Sequence, residues 1–358
     1  MARVRLVGAV FGAVVLFLLV QLGALALIDP FYGADVQPVE DPDDPTNSLV
    51  YVGAILVATG FMLAAIKFDL QWMIRGAIIL ASGMLAWFVL SVIAPPVIVG
   101  GINVVALVGT LAIVGGLLVH PEWYVIDAAG VLMGAGAAGL FGITFSILPA
   151  VVLLVVLAVY DAISVYGTEH MLTLAEGVMD QRVPVLLVIP VSLSFSMLDD
   201  RAETDADDGA DPSKEEPDTD ESIEGAASDD PTEEETPDDT TEGERSNDPE
   251  SADDPIEASP IERNAIFIGL GDAVIPTVLV ASAAFFAPAP HLDVPGIALN
   301  LPALGAMVGT LVGLLALLGL VVRGRAHAGL PLLNGGAILG YAVGAVAAGI
   351  PLVTAFGL

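Results

Sequence analysis

Nine apolar runs dominate this 358-residue sequence, and each is close to the length that a helix needs to cross a lipid bilayer. A hydrocarbon core about 30 Å thick requires roughly 20 predominantly apolar residues per helix. The runs cover residues 6–28, 49–66, 76–97, 101–119, 124–143, 147–166, 264–287, 301–322 and 330–350. Lipid offers the backbone no hydrogen-bond partner, so each run must be helical where it contacts the bilayer. The sequence therefore predicts an all-α, multi-pass membrane protein with nine transmembrane helices.

The acidic residues concentrate in one long segment between the sixth and seventh runs. Residues 199–260 contain 27 Asp or Glu and three Lys or Arg, whereas the whole chain has 43 and 11. Such a segment cannot bury enough apolar surface to offset the entropy lost on ordering. We expect a solvated linker, typical of a halophilic protein, although an acidic docking tail is an alternative. It divides the chain into helices 1–6 (1–166), a loop (167–262) and helices 7–9 (263–358).

The composition excludes several classes of function. A net charge of −32 argues against a nucleic-acid partner, because phosphates are bound by Lys and Arg. The absence of cysteine excludes disulfides, zinc–thiolate sites and thiol nucleophiles. The four histidines, among them His170 and His327, lack the spacing of metal ligands on one helix. We therefore expect no metal and no other cofactor.

The basic residues predict how the helices are oriented, because Lys and Arg near helix ends favour the cytoplasmic side. With a cytoplasmic N-terminus and nine crossings, all eleven basic residues lie on that side: Arg3, Arg5, Lys67, Arg75, Arg182, Arg201, Lys214, Arg245, Arg263, Arg323 and Arg325. The acidic loop is then cytoplasmic as well. The first run is long for the core of a cleaved signal peptide, so we expect it to be retained as a helix.

A tenth apolar stretch, residues 183–197, is not expected to cross the membrane. It is about 15 residues long, shorter than a comfortable span, and it contains Pro184 and Pro190. A crossing here would also move four basic residues to the outside. We expect this stretch to lie at the membrane interface or to pack against the helix bundle.

Two aspartates lie deep inside predicted helices, where a charged group is costly and therefore a candidate for function. Asp161 precedes Glu169 by eight residues, and Asp272 follows Arg263 by nine. At about 1.5 Å per residue, both lie roughly 12 to 14 Å below the cytoplasmic surface. Consecutive antiparallel helices would bring them face to face. Asp127, by contrast, is near a helix end, and we expect it to reach water and have a structural role.

Two carboxyl groups in one low-dielectric site share a proton, because both cannot ionise cheaply. This arrangement suits peptide hydrolysis: the ionised group takes a proton from water while the protonated group polarises the scissile carbonyl. The alternative is that each aspartate only pairs with a backbone or hydroxyl group and holds helices together.

Three local motifs lie near this predicted depth: Tyr160-Asp161, Gly269-Leu270-Gly271-Asp272 and Ala328-Gly329-Leu330-Pro331. The Tyr160 hydroxyl is expected to hydrogen-bond within the site. Gly269 and Gly271 would loosen the seventh helix and let another backbone approach. Pro331 lacks a backbone donor, so the third motif predicts a broken segment.

These motifs resemble those of the presenilin and signal peptide peptidase family of intramembrane aspartyl proteases, in its archaeal branch. The first two match the family's Tyr-Asp and Gly-x-Gly-Asp motifs, whereas the third matches only the end of a Pro-Ala-Leu-Pro pattern, with Ala328 and Gly329 replacing its first Pro and Ala. The resemblance implies a nine-helix presenilin-like bundle with Asp161 and Asp272 as the catalytic pair. It further implies that a transmembrane protein or signal peptide enters laterally, unwinds, and adds as a strand beside the segment before the ninth helix.

Two other classes of function remain as alternatives at this stage. A proton- or cation-coupled transporter or channel also uses intramembrane aspartates at broken helices, but it would predict two corresponding halves with paired breaks. A membrane scaffold that recruits partners through its acidic loop leaves the two aspartates unexplained. We expect a self-sufficient protease in the cell membrane, with no obligate partner.

Overall fold

Each of the nine apolar runs contains a helix in the computed structural model, which describes residues 2–35, 42–68, 70–167, 186–190, 196, 265–322 and 328–358. The helices are α1 (Ala2–Gly33), α2 (Thr46–Lys67), α3 (Gln71–Ile93), α4 (Val104–Val119), α5 (Trp123–Thr144), α6 (Ile147–Gly167), α7 (Leu270–Phe286), α8 (Leu301–Val321), α9 (Gly329–Ala347) and the short α10 (Leu352–Ala355). Within this described part, seven helices are long and apolar enough to span a membrane, while α4 and α7 have 16 and 17 residues.

A small hairpin separates α3 from α4, where the sequence predicted two helices with almost no gap. Pro95 and Pro96 end the preceding helix, because a residue before proline disfavours the α conformation, and Ala94 is extended. Strands β1 (Ile98–Val99) and β2 (Ile102–Asn103) then pair antiparallel. Gly100 and Gly101 connect them with φ values of 61° and 85°, the positive values that a tight hairpin turn requires.

A second antiparallel sheet corrects the all-α prediction and the predicted start of the seventh helix at residue 264. Strand β3 (Leu186–Pro190) pairs with β4 (Ala265–Gly269), and the helix begins only at Leu270. Both segments are short, apolar and rich in β-branched or aromatic residues. Their pairing satisfies the backbone groups that lipid would leave without partners. The described part of the 183–197 stretch is thus a buried strand that packs against the bundle.

Close backbone packing holds several of the helices around the aspartates. Gly142 of α5 lies against Ala281 of α7, and Gly139 of α5 lies against the carbonyl oxygen of Ala24 in α1. Helices α8 and α9 approach through facing glycines, where an added Cβ would overlap the backbone of the other helix: Gly305, Gly309, Gly336, Gly340 and Gly344. Helices can approach this closely only where side chains are absent. The start of α9 is therefore fixed relative to its neighbours.

Candidate active site

Asp161 lies in the last two turns of α6, and its carboxylate binds the beginning of α9. The side chain is only 6% exposed. Its Oδ2 accepts a hydrogen bond of 3.0 Å from the backbone N–H of Leu330. The first N–H groups of a helix have no partner within the helix, and the N-cap residue Ala328 supplies no side-chain acceptor. Asp161 therefore caps α9 from another helix.

Asp272 lies in the first turn of α7, directly after strand β4, instead of deep inside a helix as the sequence predicted. A Cβ built on Gly269 or on Gly329 would lie 3.5 Å from its Oδ2, so both glycines border the carboxylate directly. Small residues suit positions 269 and 329 because the backbone at the end of β4 and the backbone at the start of α9 both approach the side chain of Asp272.

The two aspartates meet at the start of α9. Asp161 accepts a hydrogen bond from Leu330, and Asp272 borders Gly329, the residue directly before Leu330. Helices α6, α7 and α9 each contribute one part of this cluster. Two neighbouring carboxyl groups can activate water and polarise a carbonyl group, one acting as the base and the other as the acid.

The other residues that the sequence singled out lie around this cluster in different ways. Leu270 packs against Gly130 and Gly134 of α5, and Gly271 is exposed. Pro331 lies in the first turn of α9, where its missing N–H does not disrupt the helix. Tyr160 is 37% exposed and makes no described hydrogen bond to either aspartate. His170 and His327 lie outside the described residues, and within the described part no cluster of three or more His, Cys, Asp or Glu could hold a metal ion.

Asp127 was expected to reach water, and this prediction is wrong. It is 7% exposed, and its Oδ1 accepts a hydrogen bond of 2.7 Å from the backbone N–H of Val188 in β3. The strand folds over the first turns of α5 and covers the carboxylate. The position of Asp127 near a helix end was predicted correctly, but the strand that covers it was not. Two short apolar stretches, one on either side of the acidic segment, were the feature of the sequence that could have predicted this strand pair.

Comparisons with known proteins identify the family of this chain. A family model described as signal-peptide peptidase, presenilin aspartyl protease matches residues 14–350. Two solved structures of a presenilin family intramembrane aspartate protease, in C222 and P2 space groups, are 31% identical to this chain. They give TM-scores of 0.59 and 0.55, covering 95% and 94% of this chain and 99% and 97% of theirs. A comparison with curated proteins gave no match. This chain belongs to the signal-peptide peptidase and presenilin family, and it is an intramembrane aspartyl protease.

Proposed function

We propose that Asp161 and Asp272 are the catalytic pair of this protease. The observation that carries the proposal is their common neighbour: the N–H of Leu330 donates to Asp161 at 3.0 Å, and Gly329 borders the carboxylate of Asp272. The substrates we propose are membrane-spanning segments, either transmembrane helices or signal peptides. Family membership replaces the transporter and scaffold interpretations, because the relatives are aspartyl proteases.

The proposed reaction needs one ionised and one protonated carboxyl group. The ionised group removes a proton from water, which attacks the scissile carbonyl carbon, while the protonated group donates a hydrogen bond to the carbonyl oxygen. The tetrahedral intermediate then collapses as a proton passes to the leaving nitrogen. The substrate must unwind for this attack, and we expect its extended segment to add as a strand by main-chain pairing near the start of α9. Main-chain pairing favours broad substrate choice.

We further propose nine membrane crossings, with the N-terminus and the acidic loop in the cytoplasm. The support is the distribution of the eleven basic residues, all of which lie on one side in this arrangement. The short helices α4 and α7 fit a crossing because β2 leads into α4 and β4 leads into α7, which lengthens each apolar segment. An archaeal, halophilic source and action without a partner protein stay predictions.

The test of the catalytic pair uses Asp161→Asn and Asp272→Asn in reconstituted enzyme with a transmembrane substrate, and cleavage is followed on a gel. Each variant keeps the shape of the side chain but cannot supply a carboxylate, so we expect a loss of at least about 10³-fold in kcat. Unfolding temperatures should stay close to that of the unmodified protein.

The matched control is Asp29→Asn. Asp29 is exposed and borders a cavity of about 460 Å³ together with residues 291–295, 297 and 298, which lie beyond the opposite end of α7 from Asp272. This variant should cleave at the normal rate. Cleavage by either Asp161→Asn or Asp272→Asn at more than a small fraction of that rate would show that the pair is wrongly assigned.

A further inference from the structure

Asp127 is a buried carboxylate that the proposed chemistry does not use. It lies in the second turn of α5, and its Oδ1 accepts a 2.7 Å hydrogen bond from the backbone N–H of Val188. A buried charge-bearing group is retained without loss of stability only when it has a partner. Here the partner is the main chain of a strand, so the bond fixes the position of β3 on α5 whatever side chains that strand carries.

The hydrogen bond also defines which edge of β3 faces α5. The N–H of Val188 points away from β4, since it donates to Asp127. In an antiparallel pair, alternate residues direct their backbone groups to the same side, so Pro190 shares this outer edge. Proline has no N–H to satisfy. Asp127 therefore binds the N–H of Val188, the central residue on the outer edge of β3.

The strand held by Asp127 leads to the proposed catalytic centre through β4. Val188 pairs with Phe267, and Leu186 pairs with Gly269, the N-cap residue of α7. Asp272 lies three residues after Gly269. The side chain of Leu187 also packs on Gly130, one turn from Asp127 in α5. A continuous path of hydrogen bonds and contacts thus connects α5, β3, β4 and the first turn of α7.

A second buried acid at the start of α5 holds the same part of the chain. Glu122, the N-cap residue of this helix, is 6% exposed, and its Oε1 accepts a 2.7 Å hydrogen bond from the hydroxyl of Ser196. Glu122 and Asp127, five positions apart at the start of α5, thereby bind Ser196 and Val188. The beginning of α5 is a platform for this part of the chain.

We propose that Asp127 is a positioning residue for proteolysis: it fixes the β3–β4 sheet on α5 and so sets where Asp272 lies relative to Asp161. The inference rests on the proposed catalytic role of Asp272. Asp127 acts through two strands and not on the substrate. Its loss should therefore slow the chemical step and leave substrate binding nearly unchanged, because small displacements of a catalytic group reduce rates strongly.

The experiment compares Asp127→Leu with Asp127→Asn, using kcat and KM per folded molecule. Leucine has a similar size but no acceptor, whereas asparagine keeps an oxygen for the N–H of Val188. We expect Asp127→Leu to lower kcat by about tenfold or more with KM changed less than about twofold. Asp127→Asn should stay within about threefold of the unmodified kcat.

The matched control is Ser48→Ala, which removes another buried hydrogen bond far along the chain from this path, the 2.7 Å bond from Ser48 to the carbonyl of Pro149. It should lower the unfolding temperature yet leave kcat per folded molecule unchanged. A purely structural role for Asp127 predicts that Asp127→Leu behaves in the same way, and that result would overturn the inference. Equal losses for the Leu and Asn variants would overturn it too.

A second variant keeps the inference testable if Asp127→Leu does not fold. Val188→Pro removes the donor from the strand side, and proline is tolerated where a strand N–H faces outward. It should also lower kcat, and the double variant should lose no more than the single ones, because both changes remove one bond. If the two single losses in kcat instead added together in the double variant, the inference would be contradicted. An inactive Asp272→Asn beside a normal Asp127→Leu would reject only this inference, whereas an active Asp272→Asn would reject the catalytic pair.

Discussion

Single buried polar side chains join neighbouring helices in this protein. Asn300 is fully buried, its Oδ1 accepts from the N–H of Ala303 at 2.9 Å, and its Nδ2 donates to the carbonyl of Ala283 at 2.8 Å. The same side chain thus caps the beginning of α8 and the end of α7. Asn334 of α9 similarly donates to the carbonyl of Leu154 in α6 at 2.8 Å. Bonds of this kind fix helix positions where apolar contacts alone would permit sliding.

Replacing Asn300 by alanine should destabilise the protein more than removing an ordinary helix cap. Asn300→Ala removes the cap of α8 together with both hydrogen bonds to carbonyls in the last turn of α7, which we expect to cost about 2 to 4 kcal/mol in the free energy of unfolding. Asn103→Ala is the control, because Asn103 caps α4 at 3.2 and 3.4 Å and is only partly buried. Its loss should cost about 1 kcal/mol. Denaturant unfolding in detergent measures both, and equal values would contradict the dual role.

Helices α8 and α9 are in close backbone contact, and α9 carries the N–H group that binds Asp161. A Cβ on Gly336 would overlap the carbonyl oxygen of Gly309, whereas a Cβ on the adjacent Gly335 would meet nothing within 4 Å. Adjacent residues of one helix therefore differ completely in what they tolerate. The position of the α9 N-terminus depends on the glycine that faces α8.

Gly336→Ala and Gly335→Ala form a matched pair that tests this packing. Gly336→Ala should separate the two helices and destabilise the fold by roughly 1 to 3 kcal/mol. Gly335→Ala should be neutral or stabilising by up to about 1 kcal/mol, because alanine favours helix over glycine. Unfolding temperatures distinguish the two outcomes. A Gly335→Ala variant as unstable as Gly336→Ala would show that helix contact is not the cause.

The sequence predicted the helices better than the strands, and the reason is physical. A run of about 20 apolar residues is typical of a membrane-spanning helix, so α5 and α8 differ from their predicted bounds by at most one residue at each end. Five apolar residues fit a strand or part of a helix equally well, and β3 pairs with β4 across the whole acidic segment. The predicted seventh helix therefore included β4.

The side chains of the candidate site could be predicted from the sequence, whereas its main-chain contacts could not. Asp161 and Asp272 were identifiable because acids inside apolar runs require an explanation. The N–H group of Leu330 that binds Asp161 leaves no mark in the sequence, since every residue except proline has one. Asp127 was misjudged for a related reason, because its partner is the backbone of Val188.

In the whole molecule, we expect the acidic loop and the loop that follows α7 to lie on opposite sides of the membrane. The chain has no cysteine, so a single introduced cysteine is its only thiol. Ser259→Cys in the acidic loop should react with a membrane-impermeant thiol reagent only from the cytoplasmic side. Pro290→Cys, at an exposed position after α7, should react only from the opposite side. Mass shifts after labelling intact cells and inverted vesicles provide the measurement. Labelling of both from one side would require a different number of crossings.

The capping of α9 by Asp161 has a consequence for how freely the surrounding residues can vary. A carboxylate that recognises main-chain N–H groups is indifferent to side-chain identity, so Ala328 can replace a proline before the helix without disturbing that contact. At Gly329 an added Cβ would make ordinary van der Waals contact with Oδ2 of Asp272, at 3.5 Å, so alanine fits beside that carboxylate. The residue before the helix can therefore change freely, whereas the carboxyl group of Asp272 limits the size of the residue that follows it.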